Sequence, residues 1–483
     1  MVVDWPCRCR CRCVAEADAE ADAVVEFADT DCRAYAATML PGRALELAVE
    51  TAEFLNGQRR DTLWARTPEP EAPTDHTLYH GTAGILLFLL ELSAATGDLA
   101  YERQAVSAGN SLIDVVAKKS WASVSFATGW PGYAFALNEL YKRTDDQRFA
   151  DAANLCIDRL LNQAQPIGAG IGWVEPMPFS DITGFTGDRE IFDVSVGAAG
   201  AALALLSLSQ HSTTSKLLDS AVAIGERLLE VGEHTESGSR WGLMSDMPYP
   251  FTAPNFAHGG AGVGYLFARL NQETGEKRFL DASLEAARYV VSRLHLVGDG
   301  SLVCHTEEQQ PPEFYLGQCH GPAGTARLFL LLANRTGDIK HLEPVSGMLR
   351  AIRSLGAPEQ RSWGWWNNHG RCCGDAGLGD AALVFADARA GSMGDTELLG
   401  TEMQHNLIDL ADRCAEVIES QSSAHNGGRS WTQAEHRSRP RFVQAQTGFM
   451  QGAAGIGSFL VHFATHGAAN ACGSRIVLPD DIV

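Results

Sequence analysis

The stretch Cys319-His320-Gly321-Pro322-Ala323-Gly324, followed closely by the apolar run Leu328-Phe329-Leu330-Leu331-Leu332, sets the pattern from which the fold is read. The same form, G-x-x-G and then an apolar run, occurs seven times. The other copies open at Gly81-Thr82-Ala83-Gly84, Gly129-Trp130-Pro131-Gly132, Gly197-Ala198-Ala199-Gly200, Gly259-Gly260-Ala261-Gly262, Gly374-Asp375-Ala376-Gly377 and Gly452-Ala453-Ala454-Gly455. Successive first glycines lie 48, 68, 62, 62, 53 and 78 residues apart, room for two helices and their loops in each interval.

A helix that is apolar all round is buried on all sides, so the runs after the glycines are predicted to be inner helices. Between them lie amphipathic segments at 98–119, 147–164, 216–231, 276–297 and 401–420. In Phe279-Leu280-x-x-Ser283-x-x-Ala286-Ala287-x-x-Val290-Val291 the small and apolar positions recur at helical spacing, as outer helices require. The turn from inner to outer helix repeats as Thr96-Gly97-Asp98, Thr274-Gly275-Glu276 and Thr336-Gly337-Asp338, with Thr144-Asp145-Asp146 as a variant. Glycine adopts the left-handed conformation that ends one helix, and the acidic residue suits the start of the next. The expected fold is therefore all-α, an α/α toroid of seven inner and seven outer helices. An open solenoid would not need inner helices so uniformly apolar. At the mouths, glycine is expected to let the converging helix starts approach closely. Their first N–H groups would then point into a common cavity that suits anions and thiolates.

The 483 residues are 45% apolar and 20% charged, enough to bury a large core. No apolar stretch approaches the roughly 18 residues of a membrane span. Met1 to Cys13 lacks the apolar core of an export signal, so a cytoplasmic location is expected. The net charge of −21 speaks against broad nucleic-acid binding; it suits a basic substrate, or merely solubility. Twelve cysteines in a reducing compartment form no disulfide framework. Cys7, Cys9, Cys11 and Cys13 alternate with arginine at a spacing that suits no common zinc loop. With the acidic stretch Glu16 to Ala23, they make residues 1–33 an expected disordered extension. Residues 34–470 are the expected toroid domain and 471–483 a C-terminal tail.

Reactive side chains sit just before several turns. Cys319-His320 precedes the fifth, Cys372-Cys373 the sixth and His258 the fourth, while Asp193 lies four residues before the first glycine of the third. If the turns ring one cavity, these residues converge. Buried inert cysteines, a structural histidine and a capping aspartate are the plain alternatives. Here the chain resembles the lanthionine synthetase C-like family. The carriers are Asp193-Val-Ser-Val-Gly-Ala-Ala-Gly, Ala257-His258-Gly, Cys319-His320-Gly-Pro-Ala-Gly, Cys372-Cys373-Gly-Asp-Ala-Gly and Gln451-Gly-Ala-Ala-Gly-Ile-Gly, within a likeness that spans about residues 40 to 465.

The resemblance implies a zinc-containing α/α toroid whose metal ligands are Cys319, Cys372 and Cys373. The third ligand is cysteine where the family usually has Cys-His-Gly, and His320 follows the first ligand without ligating. Three protein ligands and one open position are the pattern of a catalytic zinc. The implied reaction is a lanthipeptide cyclase's. Cysteine thiols add to dehydroalanine or dehydrobutyrine, giving lanthionine or methyllanthionine thioether rings in a ribosomal peptide. His258 takes an acid/base role and Asp193 assists it or positions substrate, with the final proton donor left open between them. The arginine that some members carry four residues before the first zinc cysteine is Tyr315 here. Trp365-Trp366-Asn367-Asn368 either line the cavity or pack. His80 and Asp375 read as structural, and Cys32, Cys156, Cys304, Cys414 and Cys472 as inert. No dehydratase region is visible, so a separate dehydratase and a precursor peptide are the expected partners. The alternatives are a LanC-like zinc protein that binds or adds glutathione without cyclising peptides, and a prenyltransferase-like zinc enzyme, whose mixed Asp/Cys/His ligands fit the cysteine pair poorly. A glycoside hydrolase would need a second carboxylate to pair with Asp193.

Overall fold

The computed structural model describes residues 39–176, 187–210, 215–247, 251–390, 396–397, 399–468 and 473–481. The expected N-terminal extension, residues 1–33, lies outside them. Fourteen α-helices occur among the described residues. The inner ones are α2 (Thr82–Thr96), α4 (Trp130–Thr144), α6 (Ala198–Ser209), α8 (Gly260–Thr274), α10 (Pro322–Thr336), α12 (Asp375–Ala386) and α14 (Ala453–Thr465). Each begins one residue after the first glycine of its turn and packs on the next, and α14 packs on α2 to close the ring. The outer partners that follow α2 to α12 are α3 (Leu99–Lys118), α5 (Gln147–Gln163), α7 (Lys216–Val231), α9 (Lys277–Ser292), α11 (Leu342–Ser354) and α13 (Thr401–Gln421). The seventh outer helix is α1 (Pro41–Asn56), which packs against α14 at the other end of the chain. An ion pair between Arg43 on α1 and Glu419 on α13, at 2.7 Å, joins the two ends further. The toroid is as expected: the inner ring closes through α14 and α2, and α1 completes the outer ring.

Sequence and burial agree closely. Every residue of α2 from Thr82 to Ser93 and of α10 from Pro322 to Ala333 is buried. In α9 the buried set is Phe279, Ser283, Ala286, Ala287, Tyr289 and Val290, while Val291 is 45% exposed. That helix ends at Ser292, short of the expected 297, because Leu294–Val297 pairs with Gly300–Val303 as an antiparallel hairpin. Similar hairpins follow α5, α7 and α13. Each of these three carries a buried tryptophan whose indole N–H donates to a carbonyl thirteen residues earlier on the outer helix: Trp173 to Leu160, Trp241 to Leu228 and Trp431 to Ile418. The Thr-Gly-acid turns form as predicted. Gly97, Gly275 and Gly337 have φ of +73°, +72° and +71°, and the Asp98 and Asp338 side chains cap the following N–H groups.

The glycine mouths are crowded from two sides. A Cβ on Gly321 would lie 2.5 Å from the Tyr315 carbonyl oxygen, and one on Gly324 2.0 Å from that of Gln318. Each turn thus folds tightly against its own preceding six residues, and the neighbouring turns close in as expected: a Cβ on Gly324 would lie 2.7 Å from the Phe256 Cβ, and one on Gly84 2.4 Å from the Phe449 Cβ. The first helical N–H groups are used by the same fold: Ala198 donates to Ile191, Ala376 to His369 and Ala453 to Gln446. They do not point free into the cavity.

The end of the barrel opposite the turns is filled by residues 474–481. Arg327 on α10 pairs with Asp481 at 2.9 Å, Arg475 meets Asp380 of α12 at 3.2 Å, and the Ile476 N–H donates to Glu91 of α2 at 2.8 Å. His462 on α14 bridges Glu91 and Asp380 at 2.8 and 2.6 Å. These charges are nearly all buried, so several inner helices are buried all round without being apolar all round. No helix among the described residues is long and apolar enough to cross a membrane.

Candidate metal centre

The turns are joined into a ring by the residue two places before each first glycine. Main-chain N–H groups donate from Ser195 to Ala257, from Ala257 to Cys319, from Cys319 to Cys372, from Cys372 to Met450, from Met450 to Tyr79 and from Tyr79 to Ala127. The remaining gap is bridged by the Ser125 hydroxyl, which donates to the Ser195 carbonyl at 3.0 Å. Cys319 and Cys372, far apart in sequence, are therefore adjacent in space. Gly317 permits the approach: a Cβ there would lie 2.7 Å from the Cys373 Cα.

The three cysteines that the sequence singled out meet. The sulfurs of Cys319, Cys372 and Cys373 all lie within 4.8 Å of one another, with Cys319 and Cys373 at 3.5 Å. Hydrogen bonds from its two neighbours pull the Cys372 thiol well below its usual range against the opposing effect of burial, while the bond to Cys372 pushes Cys319 up. Three thiolates together need a compensating cation. The arrangement fits zinc: bonds of about 2.3 Å to tetrahedrally disposed sulfurs put those sulfurs roughly 3.8 Å apart. Zinc or another thiophilic ion is the cargo such a soft donor set selects. A cavity of about 70 Å³ lies along the axis beside the sulfurs, lined by Tyr79, Cys319, Cys372 and Met450 and closed by Leu478, Pro479 and Asp480.

His258 and Asp193 meet next to this cluster. The His258 Nδ1 lies 2.6 Å from Asp193 Oδ2, and the other carboxylate oxygen accepts the Val196 N–H at 2.8 Å. Of the two alternatives, Asp193 is the partner of His258 and not a helix cap: Val196 precedes Gly197, the N-cap of α6, so the second bond pins the loop ahead of the helix. Burial works against charge on His258, but Asp193 outweighs it, so its pKa is raised. His320 stacks 5.0 Å from His258, and burial drives its pKa well down.

Three more residues belong to the site: Gln451, which the sequence offers only as part of a motif, and His305 and Arg437, which it does not single out. Gln451 donates its amide toward Cys373 Sγ at 3.4 Å and toward the Tyr79 hydroxyl at 3.2 Å. His305 lies 4.6 Å from Tyr315 and 4.4 Å from His320, ring to ring, and burial pushes its pKa down to about 4. Arg437 holds its guanidinium 4.8 Å from the Tyr315 ring centre and pairs with Glu313. A cation therefore reaches the Tyr315 position from a distant loop. Its only trace in the sequence is the basic run His436 to Arg441 in a strongly acidic chain.

Of the Trp-Trp-Asn-Asn stretch, Trp365 packs, donating to the Pro358 carbonyl. Trp366 clusters with Tyr315 and Cys373, and Asn368 holds the Gln451 amide. Asp375 is buried between His369 and Arg361. Burial pushes the His80 pKa down to about 4, and its Nε2 stands 3.9 Å from Glu435. Cys156, Cys304 and Cys414 are buried, with thiol pKa values pushed up, to about 12 in Cys156 and about 11 in Cys304. Cys32 and Cys472 lie outside the described residues.

The profile of the family described as lanthionine synthetase C-like protein matches residues 72–471. Among solved structures, nisin cyclase aligns with a TM-score of 0.56 at 15% identity, over 89% of this chain and 94% of that one. At that identity the likeness shows the fold. The GH76A α-1,6-mannanase of Salegentibacter sp. HEL1_6 aligns at 0.45 with 12% identity, over 88% and 98% of the two chains. The unsaturated glucuronyl hydrolase of Bacillus sp. GL1 aligns at 0.45 with 17% identity, over 65% and 84%. Both are too distant to argue from. No curated protein matches.

Proposed function

From membership in the lanthionine synthetase C-like family, to which this chain belongs, we infer that it adds cysteine thiols of a peptide to dehydroalanine or dehydrobutyrine residues of the same peptide. The observation that carries this reading is the gathering of three sulfurs within 4.8 Å beside the His258–Asp193 pair. Cys319, Cys372 and Cys373 would hold zinc, with Cys373 in the place where the family usually has histidine. Bound there, zinc supplies deprotonation of a substrate thiol at neutral pH.

In the addition, the thiolate sulfur bonds to the β-carbon, the carbon–carbon double bond becomes the enolate, and a proton goes to the α-carbon. His258 delivers it. Its Nδ1–H is committed to Asp193, so Nε2 carries the mobile proton, and the raised pKa keeps that proton in place near neutrality. Arg437 offsets the enolate charge from the position beside Tyr315. His305 and His320, held neutral, add no competing cation. Nothing is gained or lost in mass, so the dehydrated residue must come from a separate dehydratase acting on the precursor peptide. Free thiols as reactants place the reaction in a reducing compartment, the cytoplasm.

The test is a dehydrated, cysteine-containing peptide incubated with the zinc-loaded protein. Loss of free thiol without change of mass is the expected result, together with one zinc per chain in wild type and none in Cys372→Ala. Addition of glutathione with the peptide thiol untouched would establish the other reading of the family.

A further inference from the structure

Beside the metal centre, a strip of side chains runs from the cysteines to the protein surface. Cys373 packs against Tyr315 and Trp366. The Arg437 guanidinium lies 4.8 Å from the Tyr315 ring and 5.1 Å from the Trp363 ring, and so links the buried ring to an indole that is 60% exposed. Arg437 belongs to the loop 435–442, whose stem strands Thr432–Ala434 and Val443–Ala445 are antiparallel. That stem is fixed to the cysteine-bearing segment by bonds from the Trp366 indole and the Asn368 amide to the Ala434 carbonyl. The loop also projects Arg439 and Arg441, both exposed and without an ion pair among the described residues, next to Phe442 at 59% exposure.

Arg439 and Arg441, two residues apart, put two positive charges on one loop of a chain whose net charge is −21. Other exposed arginines, such as Arg103 and Arg353, also lack an ion pair among the described residues, so what distinguishes Arg439 and Arg441 is their place on the loop whose Arg437 reaches the metal centre. Resting on the peptide substrate proposed above, the geometry points to this strip as the track along which the peptide leaves the metal centre, with Arg439 and Arg441 gripping acidic side chains that flank the reacting cysteine. Trp363 and Phe442 supply apolar contact on either side, and the cations select sequence by charge. A protein surface this acidic repels anionic peptides in general, so the loop gives an acidic flank one place to dock and thereby fixes its direction.

The test uses the full-length zinc-loaded protein and three fluorescent peptides, each with one cysteine, identical but for a flank of Asp-Glu-Asp, Gly-Ser-Gly or Lys-Lys-Lys. Anisotropy is expected to show the acidic peptide binding about threefold to tenfold more tightly than the neutral one at low salt. That margin should vanish near about 0.5 M salt and in the double variant R439Q/R441Q, while Trp363→Ala weakens all three peptides. Equal binding of the three flanks, a preference for lysine, or an acidic preference that survives R439Q/R441Q would overturn the proposal. So would binding of RNA or of anionic phosphatidylserine vesicles through these arginines with no discrimination among the peptides. Because anisotropy reads association and not thioether formation, a failure of cyclisation would count against the proposed reaction and leave this result standing.

Discussion

Gly317 and Cys373 abut so closely that a methyl group on the glycine would stand 2.7 Å from the Cys373 Cα and 2.8 Å from its carbonyl carbon. Both obstacles are backbone, so no side-chain rotation relieves them. Gly317→Ala is therefore expected to part the segment bearing Cys319 from the one bearing Cys372 and Cys373. Overpacking of this kind costs about 1–3 kcal/mol, and the loss should be concentrated in the metal site. Competition against a chromophoric chelator should show zinc affinity falling at least tenfold while the helical circular dichroism is kept. Wild-type affinity in this variant would mean that the contact does not set the sulfur geometry.

Asp193 does two things that one substitution can separate. Its Oδ1 accepts the Val196 N–H and its Oδ2 meets His258. Asp193→Asn keeps an oxygen for the Val196 N–H but removes the charge that raises the His258 pKa. The protonated imidazole then survives only at lower pH. Turnover is expected to fall about a hundredfold at neutral pH, with the alkaline limb of the rate profile displaced downward and thermal stability nearly unchanged. Asp193→Ala should add about 1 kcal/mol of lost stability from the missing hydrogen bond to the Val196 N–H. An unshifted limb in Asp193→Asn would remove Asp193 from the proton transfer.

What could be read from the sequence was what repeats locally. Seven G-x-x-G turns with chemistry-bearing residues in front of them announce both the toroid and the meeting of Cys319, Cys372, Cys373, His258 and Asp193, because the ring converts equivalent positions into neighbours. What escaped depends on contacts between distant segments. The helix Pro41–Asn56 is itself amphipathic, yet nothing local says that it covers Ala453–Thr465. Arg437 reaches the site only because its hairpin is tied to Trp366 and Asn368. The first helical N–H groups were misassigned for a related reason: the carbonyls that take them lie seven residues back in a turn whose shape no residue type announces.

Arg327 tests how far the tail matters. Its guanidinium is buried on α10, and Asp481 answers it at 2.9 Å from the last described residue of the chain. Removal of one member of a buried ion pair costs about 3–5 kcal/mol, since the other charge is left without a partner. Asp481→Asn is therefore expected to lower the denaturant midpoint strongly. The double variant R327M/D481L removes both members of the pair and leaves Asp480 to the Gln318 amide at 2.7 Å and Arg475 to Asp380 at 3.2 Å, so it should recover part of the loss. If the double variant were as unstable as Asp481→Asn, the penalty would lie in packing rather than in an orphaned charge.

His462 gives this buried network a pH dependence of known sign. Burial disfavours its charge, but Glu91 at 2.8 Å and Asp380 at 2.6 Å outweigh that, and the folded pKa is raised above 6.5. A group whose folded pKa is raised stabilises fully below its unfolded value and loses that contribution as pH climbs through the folded value. Each unit of displacement corresponds to about 1.4 kcal/mol. His462→Gln removes the titrating group while leaving its two carboxylates poorly matched at every pH, so the variant should be less stable throughout. The part of the difference that varies belongs to the imidazolium. Urea midpoints of wild type and His462→Gln are expected to lie furthest apart near pH 6 and to draw together by pH 9. A gap that stays constant, or widens as pH rises, would mean that the folded protein keeps His462 neutral and that Glu91 and Asp380 share a proton instead.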